Sequence, residues 1–155
     1  MRKVLPKVTL LIISIASPLM VGVYENNRLV QAHSSNKKTS EILLPLLNGI
    51  FKQYNVKEII YTREPGSYMA TKLTYITLKT IEILRGIQIR GCSAFSLNGG
   101  KPIKAIGSLY FIKEKETIMT KKLEEPVNTC FALPHSIQDL AIDEESTPEY
   151  LLPAV

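Results

Sequence analysis

Residues 56–73, VKEIIYTREPGSYMATKL, decide the fold that we predict for this chain of 155 residues. Residues 56–62 are dominated by β-branched and aromatic side chains, which predicts a short strand. The Pro65-Gly66 pair that follows predicts a turn. Ser67 is placed to cap a helix, because its hydroxyl can accept a bond from a free backbone N–H of the first turn. The stretch is therefore a strand, a turn and the start of a helix.

A further strand and a further helix flank this unit. Downstream, Arg85-Gly86 predicts the end of the helix, since glycine adopts the left-handed conformation that ends many helices. Residues 87–92 then form the next strand. Upstream, Thr39 or Ser40 can cap an earlier helix. Strand–helix–strand connections require parallel pairing and a right-handed crossover, so we predict an α/β fold.

Three short apolar segments, residues 9–15, 20–24 and 29–33, come before the first helix. The first is continuously apolar, which is typical of a central strand buried on both faces. Residues 25–28 contain two asparagines, which favour a tight turn. We therefore predict an antiparallel meander, and the complete order becomes β-β-β-α-β-α-β with a mixed five-stranded sheet and two main helices.

The amino-terminal segment has an alternative interpretation. Basic residues precede the apolar run of residues 8–23, as they do in a secretory signal. Ser14, Ser17 and Pro18 interrupt the run, so it is too short to span a bilayer and divides more naturally into two strands. A secreted or periplasmic binding protein, with a signal that ends near Gly22, is the alternative to a cytoplasmic protein.

The second half of the chain has a different sequence pattern. After a turn rich in glycine, residues 103–106, 108–112 and 117–120 predict three strands, and periodicity is lost beyond Lys121. The acidic terminal segment is either a docked arm or disordered. We divide the chain into a first lobe, a strand-rich remnant of a second lobe and an irregular tail: 1–97, 98–122 and 123–155.

Composition excludes several classes of protein. Hydrophobic residues make up 45% and charged residues 21% of the chain, which predicts an ordinary globular core. The net charge is +5, but the lysines of residues 113–122 alternate with glutamates, which is typical of a solvated surface. Cys92 and Cys130 are too few for a disulfide framework and lack metal-ligand spacing. We predict no metal site, no cofactor and no catalytic residue.

Three stretches resemble the TsaB (YeaZ) family. Residues 63–73, REPGSYMATKL, resemble the family motif GRGPGSFTGLR; residues 40–45, SEILLP, resemble HSExLLP; and residues 89–95, IRGCSAF, resemble VxGVSSL. They occur in the family's order and separation, and the resemblance covers roughly residues 8–112. The turn of the first motif consists of Arg63, Pro65, Gly66, Ser67 and Tyr68.

The resemblance implies a fold and a function. The fold is a single actin/Hsp70-like lobe (ASKHA, ribonuclease H-like), followed by a truncated β-rich remnant of the second lobe. The function is that of a non-catalytic scaffold in the cytoplasm, which binds a TsaD-like catalytic subunit and works with a TsaE-like ATPase. Together they make threonylcarbamoyladenosine at the tRNA adenosine next to the anticodon. Whether the chain forms a homodimer when the partner is absent stays open at this point. We expect at most indirect contact with tRNA and no membrane.

This sequence departs from the pattern of the catalytic relatives. Their first strand carries an aspartate where this chain has Ser14, so no carboxylate is left there to hold a hydrated magnesium ion. Thr62, Glu64, Ala70 and Thr74 stand where glycines would let backbone N–H groups approach a phosphate. The Glu64 carboxylate would repel it. A small kinase or a glycoprotease-like hydrolase is therefore the weaker alternative.

Both helices carry more apolar surface than one sheet face needs. The second has its main apolar stripe at Leu73, Ile76 and Ile83, while other apolar residues lie away from that stripe. In the family the paired helices form the dimer surface. We therefore predict a partner interface, with burial in the core as the alternative for each residue, at Leu43, Leu47, Ile50, Tyr75, Leu78 and Lys79.

Overall fold

The first five strands form one mixed sheet in the computed structural model. The structure describes residues 4–65, 68–106, 108–115, 117–127 and 130–143. The strands lie in the order β3-β2-β1-β4-β5. They are β1 (Lys7–Ile13), β2 (Leu19–Glu25), β3 (Arg28–Ser35), β4 (Asn55–Glu64) and β5 (Gln88–Ser93). The first three strands are antiparallel and the last two run parallel to β1, which confirms the predicted mixed sheet.

β1 is the central strand, as its continuous apolar run predicts. Leu11 lies opposite Gly22 of antiparallel β2 and opposite Ile60 of parallel β4. Its residues from Leu10 onward are fully buried, because both faces of the sheet are covered. The turn between β2 and β3 contains two asparagines with positive φ, a conformation that asparagine tolerates better than most residues.

Two helices cover one face of the sheet: α1 (Thr39–Gln53) and α2 (Tyr68–Arg85). The prediction that Thr39 or Ser40 caps α1 is wrong, because both lie within the helix. Lys38 occupies the cap position and makes no side-chain bond there. The core between the helices and the sheet contains Leu10, Ile12, Val21, Ile59, Tyr61, Leu43, Leu47, Ile50, Leu78 and Ile81.

A second, three-stranded antiparallel sheet follows in the order β6-β7-β8, which confirms the three predicted strands. The strands are β6 (Ile103–Ile106), β7 (Leu109–Glu114) and β8 (Thr117–Lys122). Ile103 and Phe111 pack against Phe95, which lies in a 3-10 turn directly after β5. This small cluster joins the second sheet to the first.

Residues 130–143, which we name the C-terminal arm, cover the other face of the first sheet. The apolar residues that the arm contributes to this second core are Phe131, Leu133, Ile137, Leu140 and Ile142. Residues 130–143 of the predicted tail are therefore docked. Of the acidic terminal segment only Asp143 belongs to this arm, and residues 144–155 lie outside the described part of the chain.

The C-terminal arm is attached to both edges of the sheet. Ser136 forms a bridge with Arg28 of the edge strand β3, and Asp143 forms one with Gly91 of the opposite edge strand β5. Five strands about 4.8 Å apart span roughly 19 Å. Asp143 is seven positions after Ser136, and seven residue steps span roughly 23 Å when extended, so the arm crosses the whole sheet with little slack.

Candidate interaction surface and the sites around it

Ser14 lies just beyond β1, where catalytic relatives of the predicted fold carry an aspartate. It is 5% exposed, and its hydroxyl lies 2.8 Å from the hydroxyl oxygen of Thr74 on α2. The serine therefore ties β1 to α2. A polar recess of about 290 Å³ opens beside it, and its lining includes Asn36, Lys37 and Lys38 but no acidic residue.

Two more hydroxyls near the same end of the sheet have no hydrogen-bond partner among the described residues. Thr62 lies near the end of β4 and Thr71 lies in the first turns of α2, and both are almost completely buried. The predicted glycine-free region at Thr62 and Thr74 is thus a packed interior. A hydroxyl buried without a partner costs about 1–3 kcal/mol, so these two side chains weaken the fold locally.

β4 ends in a charged pair. Nη1 of Arg63 lies 3.9 Å from Oε2 of Glu64, so a positive charge accompanies the carboxylate that we predicted to repel phosphate. Gly66 and Ser67 lie outside the described residues, as does the cap predicted for Ser67. Tyr68 begins α2.

Arg63 also fastens the C-terminal arm. Its Nε donates a hydrogen bond of 2.8 Å to Oδ2 of Asp143, whose backbone N–H donates one to the carbonyl of Gly91 at the same distance. A Cβ atom added to Gly91 would lie 2.8 Å from Cγ of Arg63. Only glycine therefore lets the arginine side chain pass over β5.

Cys92 lies beside this ion pair and is fully buried. Burial raises the pKa of its thiol to about 12; the Asp143 carboxylate adds to the rise and the Arg63 guanidinium opposes it. Because a cysteine reacts as its thiolate, this thiol is inert at neutral pH.

Four of the six residues predicted for the partner interface lie in the core, which is the alternative that we gave for each of them. Leu43, Leu47, Ile50 and Leu78 are at most 2% exposed and form the core between the helices and the sheet. A side chain buried there has no surface left for a partner.

The two remaining residues of that prediction differ from each other. Tyr75 is half-buried and packs against the edge of the same core. Lys79 is exposed, and its Nζ lies 2.6 Å from Oε1 of Glu82. Lys79 is thus the one predicted interface residue that is fully available at the surface.

α2 instead exposes the stripe that we expected to pack on the sheet. Ile76 is 49%, Ile83 74% and Leu84 78% exposed. The helix is rotated so that the threonines of its first turns face the sheet together with Leu78 and Ile81. We name the following residues the α2 stripe: Leu73, Ile76, Thr80, Ile83 and Leu84.

A groove of about 410 Å³ separates the α2 stripe from α1. Leu44 and Asn48 line it from α1, and Ile76, Thr80 and Leu84 line it from α2. Leu44 is 50% exposed, so both walls of the groove are partly apolar. The structure therefore leaves a continuous apolar surface on the two helices, built from residues other than those that we had chosen.

Arg85 lies at the end of this groove. Its guanidinium carbon is 4.3 Å from the ring centre of Phe51, a distance typical of a cation–π contact. The arginine also lines a second recess of about 280 Å³, together with Phe51, Tyr54 and Ile87. It therefore stands where the two recesses meet.

Sequence reasoning missed the rotation of α2 because two sets of residues have helical spacing. Thr71, Thr74, Leu78 and Ile81 recur at intervals of three and four, as the α2 stripe does. The apolar set was the natural choice for the core. The signal that could have corrected it is the hydroxyl of Ser14, which needs a polar partner on the helix above it.

The described residues were also compared with what a metal site and a membrane-spanning helix require. In the part of the chain that the structure describes, no three His, Cys, Asp or Glu side chains cluster closely enough to hold a metal ion. Neither α1 nor the described part of α2 is both long and apolar enough to cross a membrane.

Comparison with known proteins identifies the fold class of the chain. No protein-family model matches the sequence, and no curated protein matches it. Solved structures do match, and they place the chain among the α/β proteins of the actin-like, ribonuclease H-like fold. The predicted fold class is thereby confirmed.

The matching structures include two from Pseudomonas aeruginosa. The first is YeaZ, with a TM-score of 0.62 and 11% sequence identity; the match covers 81% of this chain and 72% of YeaZ. The second is an uncharacterised protein with similarity to peptidase YeaZ, with a TM-score of 0.58 and 11% identity. This second match covers 76% of this chain and 64% of the uncharacterised protein. The resemblance predicted from the three sequence stretches is confirmed at the level of the fold.

Proposed function

We propose that the protein is a divergent, shortened TsaB-type scaffold that binds a TsaD-like catalytic protein. In this proposal the complex makes threonylcarbamoyladenosine in tRNA, with a TsaE-like ATPase, in the cytoplasm. Two independent lines support it: the fold shared with YeaZ and three family-like stretches in the right order. In the complex the chain has a structural role, without catalytic residues of its own, and it contacts tRNA at most indirectly.

The α2 stripe is the observation that carries this proposal. Monomeric proteins rarely expose contiguous apolar patches of this kind unless something binds there. A stable interface needs roughly 800 Å² from each partner, and two helices of 15 and 18 residues can supply that area. In the TsaB family the paired helices form the dimer surface, so the exposed residues lie on the elements that the resemblance implies.

The proposed lack of catalysis rests on the residues near the ends of β1 and β5. Ser14 lacks the negative charge with which an aspartate holds a metal ion, and its hydroxyl is already engaged with Thr74. Cys92 is buried with its pKa raised to about 12, which leaves almost no thiolate at neutral pH. These side chains are committed to holding the fold together.

Co-purification tests the proposal directly. The chain is co-expressed with the TsaD-like protein of the same cell, and the complex is followed by gel filtration and calorimetry. We expect a stable heterodimer, and we expect the Ile76→Asp substitution to weaken it about a hundredfold, because a carboxylate is desolvated within the apolar contact.

Val30→Asp is the matched control for this experiment. Val30 is 48% exposed on β3, against 49% for Ile76 on α2, so both substitutions place a charge at an equally accessible apolar site. The control should bind the TsaD-like protein as the wild type does. Absence of any complex with the wild type contradicts the proposed function.

The kinase or hydrolase alternative has its own test. Isolated protein is incubated with magnesium and ATP, and phosphate release is measured. We expect none above background. Steady ATP hydrolysis that is lost in Glu64→Ala would favour the enzyme over the scaffold.

A further inference from the structure

Arg85 gives the groove between α1 and α2 a cationic end. Lys52 lies in the last turn of α1 and Arg85 in the last turn of α2, and both are exposed. Residues 46–53 contain no acidic side chain. A positive charge there is favourable because helix carboxyl termini carry a partial negative charge.

Arg85 has no carboxylate partner among the described residues. The acid closest to it in α2 is Glu82, and both of its oxygens are already engaged. Oε1 lies 2.6 Å from Nζ of Lys79, and Oε2 accepts a bond of 3.3 Å from the backbone N–H of Ile89. The guanidinium instead lies on the ring of Phe51, which holds it at a fixed place beside the groove.

We propose that the partner's docking element is an amphipathic helix that carries an aspartate or glutamate for Arg85. This inference rests on the proposed function and adds the chemistry of the partner surface. Apolar side chains of that helix fill the groove between Leu44 and the α2 stripe, and its carboxylate meets Arg85 at the end. Arginine suits this role because its planar guanidinium can stack on an aromatic ring and still offer N–H groups to a carboxylate.

The spacing along α2 sets the spacing expected on the partner. Ile76 and Arg85 are nine residues apart, which corresponds to roughly 14 Å along a helix. A partner helix that lies along the groove therefore carries its acidic residue two to three turns from its apolar anchor. A helix is the natural occupant, because side-chain ridges of one helix pack into grooves between others.

Affinity measurements with the TsaD-like protein test the inference. Arg85→Glu should weaken binding about tenfold or more, since it sets two carboxylates against each other. Lys113→Glu is the matched control, because Lys113 is an exposed cation on β7 of the second sheet, away from both helices. The control should change the affinity less than threefold. Raised salt should weaken the wild-type complex more than the complex of Arg85→Gln.

Zero-length cross-linking identifies the carboxylate itself. Arg85→Lys places a primary amine at the same position, and a carbodiimide joins an amine to a carboxylate in direct contact, with loss of one water molecule. Mass spectrometry of the cross-linked complex should find position 85 joined to an aspartate or glutamate of the partner's helix.

The outcomes separate the two proposals. If the wild type binds and Ile76→Asp does not, but Arg85→Glu binds as tightly as the wild type, the inference about the carboxylate is overturned and the scaffold stands. A cross-link at position 85 to a residue outside a helix also overturns it. If the wild type forms no complex at all, the proposed scaffold function is contradicted, and the inference about Arg85 is contradicted with it.

Discussion

Arg63 reaches over the backbone of Gly91 and donates a hydrogen bond of 2.8 Å to Asp143, which lies 80 residues further along the chain. The arginine side chain is 13% exposed and the aspartate side chain 34% exposed. The pair joins the end of β4 to the last described residue of the C-terminal arm. The arm's hold on the β5 edge therefore depends on a side chain from the neighbouring strand.

Removal of this ion pair should loosen the arm. Asp143→Ala deletes a charged hydrogen bond in a partly buried place, so we expect the free energy of unfolding to fall by about 1–2 kcal/mol. Urea denaturation measures it. Asp139→Ala is the control, because Asp139 is an exposed acid on the same arm. Equal losses in both variants would contradict a specific role for Asp143.

Gly91→Ala should be destabilising by about 1–3 kcal/mol, because the new methyl group overlaps Arg63. It must also displace the arginine from Asp143, so its effect and that of Asp143→Ala should be clearly less than additive in a double-mutant cycle. Gly49→Ala is the control: it lies within α1 with no atom within 4 Å of the added carbon. That substitution should stabilise the protein by up to about 1 kcal/mol.

The rotation of α2 predicts opposite effects for two apolar residues. Leu78→Ala should cost about 2–5 kcal/mol, because the fully buried leucine leaves a cavity against the sheet. Ile83→Ala should change stability by no more than about 0.5 kcal/mol, because the isoleucine is 74% exposed. Thermal or urea unfolding of the two variants distinguishes this orientation from the one that the apolar stripe suggests.

Stability should fall at high pH, partly because of Cys92. Burial raises the pKa of this thiol from 9.0 to about 12, so the folded state keeps a proton that the unfolded state releases. The contribution is complete below pH 9 and is lost as the pH rises towards 12. Burial also raises the pKa of Tyr24 to about 12, in the same direction.

Urea denaturation between pH 8 and about 11 checks this pH dependence. Cys92→Ala should flatten the decline in stability, whatever its effect on stability at pH 8. Cys130→Ala should leave the decline unchanged, because that cysteine is exposed. A decline of equal slope in all three proteins would contradict the role of Cys92.

Much of the first lobe could be predicted because its signals are local. The apolar run of β1, the asparagine turn after β2 and the β4–α2–β5 unit each depend on neighbouring residues. Strand and helix ends therefore fall within a few positions of the predicted ones. The end of α2 at Arg85 illustrates this, as does β4, which was predicted at residues 56–62 and spans Asn55–Glu64.

The candidate site could not be predicted to the same extent, because it depends on which side of each helix faces the sheet. Periodicity alone does not distinguish Leu78 from Ile83 on α2. The tie between Ser14 and Thr74, which accompanies the observed rotation, joins residues 60 positions apart. The pairing of Arg63 with Asp143 is likewise invisible to any local pattern.

The C-terminal arm also affects how the molecule is made on the ribosome. Translation delivers the five strands of the first sheet long before it delivers the segment that covers their second face. Until Asp143 emerges, the nascent chain carries an uncovered apolar surface and two open strand edges, the features that invite association with other chains. A premature stop shortly before residue 130 would make that temporary exposure permanent.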